Sequence, residues 1–123
     1  MSYYFKEIDH VQLAAPVGSE QQAKDFYGKL LGFEEVEKPK ALKQNGGVWF
    51  QAGNVHIHIG AEDDFLPAKK AHPAIHVGNL SALKQHLEMY GISYKEDDRL
   101  PGAARFYVED PYGNRIEFLE WLE

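Results

Sequence analysis

The chain carries the same pattern twice. Near its start it reads Asp9-His10-Val11-Gln12-Leu13-Ala14-Ala15-Pro16, and past its middle Ala71-His72-Pro73-Ala74-Ile75-His76-Val77-Gly78. Each stretch is strand-like, opens on a histidine, and leads into an amphipathic run that stops at a glycine. Each half then closes on a Gly-Asn turn and a strand that carries histidine or glutamate. A pattern repeated at half the chain length predicts two copies of one unit, which constrains the fold more than any single element does.

The elements follow from local signals. In the first half Ser19 is placed to cap a helix, with Gln22 three residues on as in a capping box. Ala23, Phe26, Tyr27, Leu30 and Leu31 keep the 3.6-residue period, and Gly32 ends the run. In the second half Asn79 or Ser81 caps, Leu80, Leu83, Leu87 and Tyr90 form the apolar stripe, and Gly91 stops it. Strands are predicted at residues 46–51, 55–59, 105–108 and 115–119, with turns at Gly53-Asn54 and at Asp110 to Asn114. Each half reads β-α-β-β-β, so the fold class is α+β, built from two modules of about residues 5–62 and 70–122. The polar stretch Asp63 to Lys70 joins them within one domain spanning residues 1–123. Lys38 to Lys43 and Glu62-Asp63-Asp64 read as solvated loops.

Strand parity then sorts the chemistry. Successive side chains on a strand point to opposite faces. Val11 and Leu13 oppose His10 and Gln12; Ile57 and Ile59 oppose His56 and His58. Ile75 and Val77 oppose His72, Ala74 and His76, and Ile116 and Phe118 oppose Arg115 and Glu117. Five of the six histidines fall on the polar face, and His86 on the second helix is the exception. A face turned only to water would carry Lys, Glu and Thr, yet these four strands hold no lysine. Three imidazoles and a carboxylate suit a divalent first-row metal.

Composition narrows the partners. The net charge of -6 lacks the basic stripe a nucleic-acid binder needs. No apolar run approaches the ~18 residues of a membrane helix, and the N-terminal residues lack the regions of a signal peptide. With no cysteine there is no disulfide, thiolate nucleophile or Cys-based metal site, which fits the cytoplasm.

Asp9-His10-Val11, the helix end from Phe26-Tyr27 to Leu31-Gly32-Phe33, His72-Pro73-Ala74-Ile75, and Asp110 to Phe118 together resemble the vicinal oxygen chelate superfamily. That group includes glyoxalase I, fosfomycin-resistance thiol transferases, extradiol dioxygenases and bleomycin-resistance proteins. The resemblance spans about residues 5–121 and is closest to short bacterial glyoxalase-family proteins. It implies two tandem βαβββ modules forming a U-shaped mixed sheet with helices on the outer face, and it implies a homodimer. It implies a divalent metal (Zn, Ni, Co, Mn or Fe) held by His10, His58, His72 and Glu117, with His56 the alternative to His58. Glyoxalase I usually has glutamate where His58 stands, so the reaction implied is the wider one. It is Lewis-acid stabilisation of an oxyanion or enolate on a small oxygenated substrate, in a lyase, isomerase, dioxygenase or thiol transferase. Glu117 and His58 are the expected catalytic groups. Arg105, Tyr107, His76, His56, Gln12 and Phe50 are the expected substrate contacts, with Trp49 the alternative to Phe50. Arg105 is expected to bind an anionic group or to pair with the Glu96-Asp97-Asp98 run. The other reading is a non-catalytic binding or antibiotic-sequestering protein on the same fold.

Overall fold

The computed structural model describes residues 2–122 and divides into two compact units, Met1–Asp63 and Asp64–Glu123. The first unit runs β1 (Val11–Pro16), α1 (Glu20–Ala23, continued by a π-helical segment Lys24–Leu30), β2 (Glu34–Val36), β3 (Val48–Ala52) and β4 (Val55–Glu62). The second runs β5 (Ala74–His76), α2 (Leu80–Met89), β6 (Lys95–Glu96), β7 (Ala103–Glu109) and β8 (Arg115–Trp121). Each forms a four-stranded mixed sheet, ordered β1-β4-β3-β2 in one and β5-β8-β7-β6 in the other. The first strand of each unit pairs parallel with the last, Val11 opposite Ile57 and Ala74 opposite Glu117. The remaining pairs are antiparallel. The fold is α+β and the two sheets share one topology, as the repeat requires. Among the described residues no helix is long and apolar enough to cross a membrane.

In the first unit the helix buries Ala23, Phe26 and Tyr27. Tyr27 lies 5.6 Å, ring to ring, from Phe50 on β3. The expected capping box does not form. Ser19 makes no side-chain cap and its Oγ donates to the Pro16 carbonyl. Nor is the helix α throughout, for after Ala23 its turns widen into a π segment. A wider turn brings neighbouring side chains closer in direction, so that consecutive Phe26 and Tyr27 both reach the core. The end is correspondingly loose, with the Phe33 N–H donating to the Tyr27 carbonyl six residues back. Such π segments cost regular hydrogen bonding and are common near functional sites.

The second helix follows its signals more closely. Asn79, not Ser81, is the cap: its side chain accepts from the Ala82 N–H. Gly91 and Ile92 close the other end by donating to the Glu88 and Leu87 carbonyls, a Schellman pattern made possible by the positive φ at Gly91. Leu80 and Leu87 are buried, whereas Tyr90 is exposed and lies outside the apolar stripe expected of it. Glu120 on β8 accepts from the Asn79 and Leu80 N–H groups, tying helix start to sheet, and these donors hold its carboxyl below the ordinary glutamate value.

The strands overrun their expected bounds at β4, β7 and β8. The short β2 and β6 arise where the sequence shows no period, because pairing with β3 and β7 decides them. Part of the lysine-rich loop is a 3₁₀ turn, Lys40–Asn45, with Lys38 donating to the Gly46 carbonyl and Lys43 bonded to Glu37. The β7–β8 turn is built on Asp110, buried to 5% exposure. Its carboxylate accepts from the Tyr112 and Asn114 N–H groups and from the Asn114 amide. Asp110→Ala would strand those donors, and we expect a loss of about 2–3 kcal/mol in urea unfolding.

Candidate functional site

Within each unit the candidate ligands come as a pair, and no group of three or more His, Asp or Glu forms among the described residues. In the first unit the pair is His10 and His58. His10 precedes β1 rather than opening it, so strand parity does not orient its ring. Packing does: the His10 ring stacks on His58 at 4.1 Å between centroids and 16° between planes. Its Nδ1 lies 2.8 Å from Asp9 Oδ2, which holds the Asp9 carboxyl below its ordinary range. Trp49 covers the other side of His58 at 3.9 Å and 6°. His58 is thus sandwiched between two rings. Burial, and next the charge of His10, pushes its pKa down and keeps the imidazole neutral, as a metal ligand or proton acceptor must be.

The β3–β4 register explains which aromatic residue takes part. Trp49 stands opposite His58, while Phe50 stands opposite Ile57 and is 1% exposed. Phe50, expected to line the site, therefore belongs to the core beneath the helix, and Trp49 holds the place expected of it. His56 stands opposite Gln51, two residue pairs from the His58–Trp49 pair along the hairpin. Gln12 stands opposite His58 across β1 and β4, and its amide lies over Gly60, where a Cβ would collide with it.

In the second unit the pair is His72 and Glu117. His72 lies two residues before β5, so here too the leading histidine is outside its strand. Its Nε2 is 2.9 Å from Glu117 Oε1, and its Nδ1 is 2.7 Å from the Lys70 carbonyl oxygen. A carbonyl only accepts, so Nδ1 carries a proton and Nε2 faces the carboxylate. A neutral ring has one N–H and meets two acceptors. With Nδ1 donating to the carbonyl, Nε2 is the nitrogen left to accept or to coordinate. Histidine metal ligands are oriented in this way, one nitrogen donating to a carbonyl and the other free to coordinate. The donor set fits a divalent metal on that ground.

Glu117 is 5% exposed, and its second oxygen accepts from Arg105 at 3.4 Å. Arg105 also reaches Asp97 at 3.4 Å, while Asp97 takes a fork from Arg99 and is held well below the usual carboxylate range by it. Both expectations for Arg105 were partial. It meets the acidic run, but its guanidinium is also spent on Glu117, which leaves it no free fork for a substrate anion. Its Nε is buried without a hydrogen-bond partner. Tyr107 stands opposite Glu117, and its ring meets His72 edge-to-face at 5.3 Å between centroids. The Arg115 guanidinium carbon lies 3.9 Å from the centre of the Tyr107 ring. His76 is exposed on β5, opposite Leu119. The sequence reading missed the Trp49 stack and the Arg115–Tyr107 contact, both of which follow from registers that only the sheet pairing sets.

The likeness to known proteins covers the whole chain. A glyoxalase family protein from Bacillus anthracis is 53% identical, with a TM-score of 0.95 over 98% of this chain and 99% of its own. The glyoxalase family protein from Enterococcus faecalis is 27% identical, with a TM-score of 0.75 over 94% and 98%. Glyoxylase I 4 of Arabidopsis thaliana is 26% identical over 124 residues, 93% of this chain and 70% of its own length. The family model of the Glyoxalase/Bleomycin resistance protein/Dioxygenase superfamily matches residues 7–118, and the chain belongs to that superfamily.

Proposed function

We propose that the protein is a metal-dependent enzyme of the glyoxalase type that acts on a small oxygenated substrate, working as a homodimer in the cytoplasm. The ligands we assign to the metal are His10, His58, His72 and Glu117. The observation that carries this reading is the His72–Glu117 contact, in which a ring oriented by the Lys70 carbonyl turns its second nitrogen onto a buried carboxylate. His58 is preferred to His56 because it is the histidine that His10 stacks on. A divalent ion bound there would supply Lewis-acid stabilisation of an oxyanion or enolate.

The chain's own residues supply the rest. His58, whose pKa burial and then the charge of His10 push down, is the group placed to accept a proton when it is not bound to the metal. Arg105 fixes the orientation of Glu117 by occupying its second oxygen. Tyr107 walls the His72 ring. The reaction is of the lyase, isomerase, dioxygenase or thiol-transferase kind, and turnover of hemithioacetals, catechols or fosfomycin with thiols would discriminate among them.

The test is metal analysis of untagged protein after loading with Zn, Ni, Co, Mn or Fe and removal of excess. The expected result is stoichiometric metal, with affinity lowered at least about tenfold in His72→Ala and in Glu117→Gln. Protein that takes up no stoichiometric metal, and whose melting temperature is the same with and without the ion, would point instead to a binding protein that sequesters a small molecule.

A further inference from the structure

A cleft of about 710 Å³ opens in the second unit beside Tyr107. Lys69, Tyr94, Lys95, Tyr107, Glu109 and Arg115 line it. Three cations on one cleft stand out in a chain of net charge -6. None of the three forms an ion pair with a described residue, in contrast to Arg105, Arg99 and Lys84, each of which has a carboxylate partner. Asp110, at the back of the cleft, is already committed to the backbone and amide donors of its own turn. Glu109 faces Arg115 across β7 and β8 but makes no ion pair with it.

The Arg115–Tyr107 contact matters most. A guanidinium held against an aromatic ring by cation–π attraction is restrained in position, while its N–H groups stay available for hydrogen bonds. A restrained guanidinium fork is a good partner for a carboxylate or phosphoryl group, which it grips with two parallel hydrogen bonds. The Tyr107 ring also meets His72 edge-to-face. One tyrosine therefore separates the arginine from the His72–Glu117 pair.

We propose that this cleft binds the oxyanion group of the substrate, a carboxylate or a phosphoryl, with Arg115 as the bidentate partner and Lys95 and Lys69 as supporting charges. Arg105, the sequence candidate for that task, is replaced in it by Arg115. The inference rests on the enzyme reading above only in calling the anion part of a substrate; the anion site itself needs no metal.

Metal-free protein, prepared with chelator, is titrated with inorganic phosphate and separately with benzoate, and the Arg115 Nε–H and Tyr107 ring signals are followed by NMR. Saturable shifts at both residues with one of the two anions are expected, and the tighter anion names the group. Arg115→Gln is expected to weaken that binding about tenfold or more. Lys95→Gln, at an exposed position, is expected to weaken it by a smaller factor and keeps the test decisive if the first variant folds poorly. The proposal is overturned if neither anion saturates, or if both variants bind as the native chain does. Metal uptake by Lys95→Gln is expected to be unchanged, so loss of the anion site and loss of the metal reading register separately.

Discussion

Gly47→Ala is expected to cost the first unit about 2–6 kcal/mol, a large part of the ~5–15 kcal/mol that holds a domain of this size together. Two penalties add. Gly47 has φ +88°, where a Cβ-bearing residue is strained by about 1–2 kcal/mol. A Cβ there would also lie inside the van der Waals shell of the Ile59 carbonyl oxygen, and a backbone atom in a central strand cannot swing aside. The same residue donates its N–H to Glu20, holding the helix start against the sheet and keeping that carboxyl below its usual value. Val48 pairs with Ile59 and Trp49 with His58 immediately beyond it, so the strain falls on the hairpin that presents the sandwiched histidine. Urea unfolding of the full chain, followed by tryptophan fluorescence, measures the loss. Gly53→Ala is the control. Gly53 also has positive φ, but nothing lies within 4 Å of its would-be Cβ, so only the conformational cost of about 1–2 kcal/mol applies. Equal losses in the two variants would refute the steric argument.

Arg105→Met is expected to destabilise the second unit by about 3–5 kcal/mol, because removing one partner of a buried ion pair leaves the other charge uncompensated. Glu117 would keep only His72, and Asp97 only Arg99. Methionine fills similar volume, so a cavity contributes little. The decisive measurement is a double-mutant cycle: Glu117→Gln in the Arg105→Met background should recover most of the loss, since the stranded charge is gone. Independent, additive losses would show that Arg105 acts through its packing and not through Glu117. The orphaned Arg105 Nε bears on the size of the effect. An arginine that is itself incompletely satisfied gains less from burial, which argues for the lower part of the range.

How far the sequence could be read depended on which interactions decide each feature. The duplicated topology was legible because histidine-led strands, helices ending at Gly32 and Gly91, and Gly-Asn turns are local signals that recur in order. The side-chain alternation of β4 and β8 was legible too, since period 2 follows from backbone geometry alone. The short strands β2 and β6 were not, because only their neighbours make them strands. Parity also failed where it was extended too far: His10 and His72 sit before β1 and β5, and their orientation comes from ring stacking and from the Lys70 carbonyl. Phe50 and Trp49 are adjacent and both aromatic, so composition could not say which faces His58; the β3–β4 register does. The division of labour between Arg105 and Arg115 likewise required knowing that Asp97 and Glu117 lie on either side of one guanidinium.

The parallel pairing of first and last strands has a kinetic consequence. β1 and β5 lie at the edges of their sheets, each held by a single neighbour that is distant in sequence. β5 pairs over three residues, with Pro73 and Val77 each adding a backbone hydrogen bond to β8 at its ends. Such edges are the least costly parts of a sheet to detach, and long-range pairings of this kind close last during folding. Each edge strand adjoins a leading histidine. Peeling β5 away would withdraw His72 while leaving Glu117 on β8, still paired with β7, so the second unit can release one member of its pair without giving up its core. Amide exchange should accordingly be faster on β1 and β5 than on their central partners β4 and β8.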